Sequence, residues 1–203
     1  RLKFSSETFY MKTPEEMKKA FSCLWEDERL LVSMILLLAL AARLGAVFYL
    51  GVPDPVESSE SGQVAARLVA VQGYTFNFYG YRIADPLRSF IPPLYTLFVA
   101  FFLRFAAEPG GALGIAQAFL SSLTCVLIYL IAKGLSGRTV GTLSMLAMAL
   151  YPIFVIQAAR PFSLTLHSLL LALLLWLLLG LLQKSHLTTW VAAGVVAGLN
   201  ALG

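Results

Sequence analysis

Apolar runs as long as a membrane-crossing helix constrain the fold of this chain more than any other feature of its sequence. Leu30–Leu50 is one such run, and Leu164–Leu182 is almost pure leucine. A helix needs about 20 apolar residues to cross a bilayer, and both runs reach that length. No Asp or Glu occurs from Pro109 to Gly203. These runs predict a chain that crosses a membrane several times.

The composition excludes a soluble globular domain. Apolar residues make up 59% of the 203 residues and charged residues only 13%, whereas soluble domains have about 45–50% and about 25%. A core of this size cannot hide that surplus, because its surface would still have to face water. We therefore expect an all-α, polytopic transmembrane helix bundle. Its predicted spans are Leu30–Leu50, Pro92–Phe105, Leu113–Ala132, Thr139–Ile156, Leu164–Leu182 and a sixth that begins at Thr188.

The distribution of Lys and Arg predicts the orientation of the chain. The net charge of +4 would suit nucleic acid, but the basic residues form no stripe beyond residues 1–29, so we expect no nucleic-acid partner. That amphipathic tail holds six Lys and Arg, against three in residues 51–90. Because cytoplasmic segments are richer in Lys and Arg, we predict a cytoplasmic tail and an extracytoplasmic first loop, residues 51–91. Counting spans then places Lys133 and Arg138 outside, against the same rule, unless one segment is re-entrant or the bias misleads.

The polar loop of residues 51–91 is the main candidate for chemistry. Apolar residues at helical spacing predict one amphipathic helix over Glu57–Val71. On this helix Glu57 and Glu60 would share a face. A carboxylate partly desolvated beside a bilayer can act as a general base, but acids at a helix start can equally just favour the helix dipole. The loop holds four of the five carboxylates that follow residue 50: Asp54, Glu57, Glu60 and Asp85.

Two arginines in or beside the predicted spans each allow two interpretations. Arg43 lies inside the first span and must either face the bundle or extend to the interface, because a charge in lipid is costly. Arg160, before the fifth span, could bind a phosphate group or only anchor its helix at the interface. Cys23 and Cys125 lie in different environments and have no metal-ligand spacing, so we expect neither a disulfide nor a cysteine metal site.

Short motifs follow one another along the chain in a characteristic order. They are Arg43-Leu44, Glu57, Ala65…Leu68…Gly73-Tyr74, Pro92-Pro93-Leu94-Tyr95, the Gly-Leu-Ser-Gly-Arg of residues 134–138, Tyr151-Pro152, and Arg160-Pro161-Phe162-Ser163. From about residue 30 to the end, this order resembles the GT-C-type bacterial membrane glycosyltransferases, the relatives of protein O-mannosyltransferases and of the lipid A aminoarabinose transferase. That family more often has Asp than Glu at the position of Glu57. Residues 30–203 would then be a GT-C-like transmembrane domain.

The resemblance implies transfer of a sugar from a polyprenyl-phosphate carrier to a protein or lipid hydroxyl, on the outer side of the inner (plasma) membrane. It implies Glu57 as the catalytic base, with Glu60 as the next candidate. The partners implied are membrane lipid, the lipid-linked sugar donor and the hydroxyl acceptor, and a divalent metal is left open as a cofactor. The donor phosphate would be held by arginines, for which the candidates are Arg67, Arg82, Arg88 and Arg160.

A non-catalytic multi-pass membrane protein, such as a transporter or a scaffold subunit, is the alternative. Transporters more often place charged residues in mid-span, and here only Arg43 and His167 qualify. The sixth span is still apolar at Gly203, so we expect the chain to be the N-terminal part of a larger protein. Residues 1–21 resemble a segment near the N-terminus of bacterial DNA polymerase III alpha subunits, but include none of that enzyme's catalytic acids.

Overall fold

The computed structural model describes residues 27–51, 56–76, 87–88, 91–183 and 186–203. Contacts divide the chain into two units, with the boundary between Met34 and Ile35. The helices are α1 (Glu28–Leu50), a short 3-10 helix (Val56–Ser58), α2 (Glu60–Val69), α3 (Pro93–Phe105), α4 (Pro109–Ser136), α5 (Arg138–Leu150), α6 (Pro152–Ala158), α7 (Leu164–Gln183) and α8 (Leu187–Ala201). Two two-residue strands, β1 (Thr75–Phe76) and β2 (Leu87–Arg88), pair antiparallel. The predicted tail, residues 1–29, lies almost wholly outside the described residues.

The predicted all-α membrane bundle is confirmed. Among the described residues, three stretches are long and apolar enough to cross a bilayer: α1 with 23 residues, α4 with 28, and the first 19 residues of α7. Helices α5 and α6 meet the same criteria only as a pair, which is bent by 54° and is either a broken span or a re-entrant segment. The two remaining apolar helices, α3 and α8, have only 13 and 15 residues. The chain is therefore a multi-pass membrane protein.

The bend between α5 and α6 has its cause at Pro152, the first residue of α6. Proline has no backbone N–H, so the carbonyl of Met148, four residues earlier, loses its usual helical partner. Because of the bend, the neighbouring carbonyl of Ala149 also lies outside the regular series of helical hydrogen bonds. Inside a bilayer, backbone groups without partners are costly and must be satisfied by other protein groups.

Arg43 supplies those partners. Its side chain is fully buried and joins α1 to α4 and to the end of α5. It therefore faces the bundle, which decides between the two alternatives left open by the sequence. The guanidinium donates to Ser121 Oγ at 2.7 Å, Ala39 O at 3.0 Å, Ala149 O at 3.1 Å, Met148 O at 3.3 Å and Cys125 Sγ at 3.4 Å.

Helix α3 is too short for the span predicted at residues 92–105. Its 13 residues cover about 20 Å at 1.5 Å per residue, against a hydrocarbon core of about 30 Å. It packs against α2 and against the first turns of α4 in one apolar cluster. Tyr95, near the start of α3, bonds to Gln117 in the third turn of α4, and α4 begins only four residues after α3 ends, so α3 lies along the first three turns of α4, at one end of that helix. The cluster consists of Val56, Ala65, Tyr95, Val99, Ala100 and Leu113.

The other helices meet this same end, which we call the α3 end. The N–H of Leu94 donates to the carbonyl of Leu202, just after α8, at 2.9 Å. Val47, near the end of α1, packs with Ala118 and with Ala159, just after α6. Helix α4 therefore runs away from the α3 end, α5 and α6 return to it, α7 leaves and α8 returns. The junction between α4 and α5 lies at the opposite end.

Candidate functional site

A cleft of about 680 Å³ opens at the α3 end of the bundle. Three segments far apart in the sequence line it: residues 58–61, residues 91–92 and residues 160–163. We call it the Glu60 cleft. It combines one carboxylate, one guanidinium and several serine hydroxyls with apolar side chains, which is the mixture expected of a site for an amphipathic ligand.

The first wall is the start of α2, fixed by its N-cap. Ser59 has extended backbone angles, and its Oγ accepts the N–H of Gly62 at 3.1 Å and donates to the carbonyl of Val56 at 2.9 Å. This arrangement is the usual way for Ser to satisfy the open N–H groups of a first helical turn. Glu60 follows as the first residue of α2 and is exposed to the cleft.

Gly62 is required for this arrangement, because α2 and the 3-10 helix touch there. A Cβ at this position would overlap the carbonyl oxygen of Val56 and would lie 2.7 Å from its carbonyl carbon. Both are backbone atoms and cannot rotate away. The close contact holds the 3-10 helix, which contains Glu57, against the helix that presents Glu60.

We expect Gly62→Ala to displace residues 56–58 and to destabilise the protein by about 1–3 kcal/mol, the usual cost of overpacking a filled site. Thermal unfolding in detergent measures this. Gly45→Ala is the matched control, because Gly45 lies in α1 and an added Cβ would meet no atom within 4 Å beyond its own helix backbone and chain neighbours. That substitution should be neutral or stabilising by up to about 1 kcal/mol. Equal unfolding temperatures for both variants would contradict the prediction.

The second wall is the start of α3, held by Tyr74. The Tyr74 hydroxyl lies 2.7 Å from the carbonyl oxygen of Ile91 and 3.2 Å from Thr96 Oγ1. Thr96 in turn donates to the carbonyl of Pro92 at 3.2 Å. These bonds fix the Pro-Pro sequence that opens α3, and proline is well suited to a first helical position.

The third wall is the turn between α6 and α7, held by Gln117. This glutamine lies in α4 and is 1% exposed. Its Nε2 donates to the carbonyl of Arg160 at 2.7 Å, and its Oε1 accepts the hydroxyl of Tyr95 at 3.2 Å. The turn therefore has a fixed backbone, while the Arg160 side chain is exposed at the cleft.

The structure brings two of the residues predicted for the site into the cleft, Glu60 and Arg160. Glu57 lies next to it in the 3-10 helix, but its side chain lies outside the described residues. Arg67 instead donates to Thr75 Oγ1 at 3.4 Å and does not line the cleft. Arg82 lies outside the described residues, and Arg88 is described only as the β2 residue that pairs with Thr75.

Sequence reasoning did not identify three residues that shape the cleft: Ser59, Gly62 and Gln117. Ser59 carries a visible signal, since a serine before Glu60 is a typical N-cap, whereas the need for Gly62 follows from its contact with the Val56 carbonyl. Gln117 is a single amide within an apolar run, which indicates a buried hydrogen bond but not its partner. The contact with Arg160 depends on packing between helices that are far apart in the sequence.

Chemically, the cleft can hold an anion beside a proton acceptor. A guanidinium binds phosphate through paired N–H donors, and a carboxylate accepts a proton from a hydroxyl. Serine hydroxyls offer hydrogen bonds to a ligand, and the faces of Pro92 and Phe162 offer apolar contact. Within the described ranges, no three His, Cys, Asp or Glu side chains are grouped so that they could hold a metal ion.

Comparison with known proteins identifies one family. The model of the dolichyl-phosphate-mannose-protein mannosyltransferase family matches residues 91–203. No curated protein and no solved structure matches the chain. The match does not reach residues 1–21, so the resemblance of that tail to a DNA polymerase subunit has no support.

The matched segment contains α3 to α8, with two of the three walls of the cleft. Because it covers more than half of the 203 residues, the chain belongs to the dolichyl-phosphate-mannose-protein mannosyltransferase family of membrane glycosyltransferases.

Proposed function

We propose that the chain transfers a sugar from a polyprenyl-phosphate carrier to a protein or lipid hydroxyl, and that the Glu60 cleft is the site of transfer. One observation carries the proposal: a carboxylate and an arginine 100 positions apart in the sequence line one cleft at the α3 end of a membrane bundle. A lipid carrier can enter such a site from the bilayer while its phosphate stays at the interface.

We further propose that the α3 end faces the outer side of the inner membrane. With a cytoplasmic N-terminus, α1 reaches the outer side at Leu50, and α3 does not cross. The junction between α4 and α5, with Lys133 and Arg138, then lies on the cytoplasmic side, as the positive-inside rule requires. A short α3 that stays at one end thus removes the conflict met when residues 92–105 are counted as a span.

The reaction proposed needs one base and one phosphate ligand. Glu57 or Glu60 takes the proton of the acceptor hydroxyl, whose oxygen forms a bond to the anomeric carbon of the sugar. The bond between that carbon and the carrier phosphate breaks, and its electron pair stays on the phosphate oxygen. Arg160 stabilises the additional negative charge of the released polyprenyl phosphate, as arginines do for developing phosphate charge.

A transporter is less well supported by the arrangement of charges. Transport sites near the bilayer midplane commonly use charged or polar groups that remain available to a substrate. The guanidinium of Arg43 is instead occupied by five hydrogen bonds within the protein.

The proposal predicts that Arg160→Ala raises the KM for polyprenyl-phosphate-linked mannose about tenfold or more. Hydrogen bonds to charged groups contribute about 1.5–3 kcal/mol, and 1.4 kcal/mol corresponds to a factor of ten. The measurement is transfer of labelled mannose from the carrier to hydroxyl acceptors in a membrane extract, as a function of donor concentration. Arg104→Ala is the control, because Arg104 is exposed and contacts the ring of Phe105 away from the cleft. Equal KM values for the two variants would argue against phosphate binding by Arg160.

A further inference from the structure

We infer that Gln117 is a positioning residue for the sugar donor, acting through Arg160; the inference rests on the proposed function. Gln117 does not itself line the cleft. Its amide instead connects two of the three walls. The carboxamide reaches the turn of Arg160 on one side and Tyr95 on the other, two residues after the Pro-Pro pair that opens α3.

Gln117 ties the turn after α6 to a neighbouring helix. Helix α6 ends at Ala158, and within the turn the carbonyl of Arg160 accepts the N–H of Phe162 at 2.8 Å. Gln117 Nε2 adds a second donor to that carbonyl at 2.7 Å and lies 3.5 Å from the carbonyl of Gln157. The glutamine therefore holds the backbone from which the Arg160 side chain extends against α4.

The orientation of Gln117 is fixed at both ends of its amide. The carbonyl of Arg160 can only accept, so the NH₂ group must face it, and the flipped orientation of the amide is excluded. The amide oxygen then faces α3, where it accepts the Tyr95 hydroxyl at 3.2 Å, and both side chains are almost fully buried. A buried chain of such bonds holds its members in one arrangement. The distance between the Pro92 wall and the Arg160 wall is thus set by one amide.

The inference predicts a split between binding and chemistry. Gln117→Met keeps the length of the side chain and removes both hydrogen bonds. We expect the KM for polyprenyl-phosphate-linked mannose to rise roughly tenfold, with kcat reduced less than about threefold, because small misplacements of binding groups are costly. Thr124→Val is the matched control. Thr124 is equally buried in α4, but its hydroxyl donates to the carbonyl of Leu120 in its own helix. The KM of the Thr124→Val variant for the donor should therefore not change.

A double variant separates positioning from a general structural role. If Gln117 acts through Arg160, the KM of Gln117→Met with Arg160→Ala should equal that of Arg160→Ala alone. If the KM of the double variant instead rose by the product of the two single effects, the inference would be overturned. Tyr95→Phe offers the same cycle with a milder change, should Gln117→Met be too unstable to purify. We expect it to raise KM about threefold, and to have no effect when Arg160 is Ala.

A thiol reporter tests the inference without relying on activity. In a chain carrying Cys23→Ser and Ser163→Cys, the rate of reaction with a water-soluble maleimide reports how the turn sits at the cleft. We expect Gln117→Met to change this rate at least about threefold and Thr124→Val to leave it unchanged; an unchanged rate in Gln117→Met would overturn the inference. If the parent chain neither transfers mannose nor binds polyprenyl monophosphate in micelles, the proposed function fails, while the thiol rates still decide the role of Gln117.

Discussion

Arg43→Ala is expected to lower the free energy of unfolding by about 3 kcal/mol or more. Truncation of a large, fully buried side chain to Ala leaves a cavity that typically costs about 2–5 kcal/mol. It also leaves the carbonyls of Met148 and Ala149 without the donor they receive from Arg43. The midpoint of unfolding in mixed detergent micelles, followed by far-UV circular dichroism, measures the change.

Two further variants identify the cause of this loss. Arg43→Met preserves most of the volume and removes a buried charge, so it should cost about half as much, because hydrophobic replacement of buried charge is tolerated better than truncation. Pro152→Ala restores an N–H for the carbonyl of Met148. In that background Arg43→Met should cost less than in the parent chain, since the two substitutions share a partner.

The control for Arg43 is Arg104→Ala, an arginine at the surface. Arg104 is exposed and its guanidinium lies 5.9 Å from the ring centroid of Phe105. Exposed cation–π pairs contribute about 0.5–1 kcal/mol. If Arg43→Ala destabilised the protein no more than Arg104→Ala, the buried network would not be the device that joins α1 to α4 and α5.

Replacing both loop carboxylates should abolish most transfer. We expect Glu57→Gln combined with Glu60→Gln to lower the rate of mannose transfer by about 10²–10⁴-fold, the usual contribution of a general base. Glutamine is isosteric with glutamate and keeps the start of α2, so the fold and the KM for the donor should change little. Steady-state transfer from polyprenyl-phosphate-linked mannose measures both quantities.

The single variants rank the two acids, and Glu108→Gln is their control. Glu108 is exposed before the first turn of α4 and does not line the Glu60 cleft. Its replacement should leave transfer unchanged. The acid whose single replacement reproduces the loss in the double variant is the base. Normal transfer by the double variant would exclude a loop carboxylate from the reaction.

Most of the helices could be predicted from hydropathy alone. The expected fifth span, Leu164–Leu182, is α7 to within one residue, and the first differs from α1 by two. Hydropathy could not show that residues 93–105 stay at one end of the bundle, because a short apolar helix and a span look alike in composition. Their difference lies in packing against Ala65 and Leu113.

The candidate site was predictable in its parts but not in its assembly. Glu60 and Arg160 each carry a sequence signal: Glu60 is an acidic residue at a helix start, and Arg160 is a positively charged residue just before a span. Nothing local shows that they line one cleft, because this depends on the return of α5 and α6 and on the bond from Gln117. For Arg43, both interpretations were open, since four of its five partners lie more than 70 residues later, two of them carbonyls beside the bend at Pro152.

The measurement that tests the proposed function most directly is a single turnover with donor already bound. Labelled polyprenyl-phosphate-linked mannose is bound to the purified chain in micelles, membrane-extract acceptors are added, and loss of label from the carrier is timed. The parent chain should transfer the bound mannose to the acceptors in this single turnover. The Glu57→Gln, Glu60→Gln variant should bind the same amount of donor and transfer it at least about 100-fold more slowly. Equal rates of transfer from the two chains would contradict the role assigned to the Glu60 cleft.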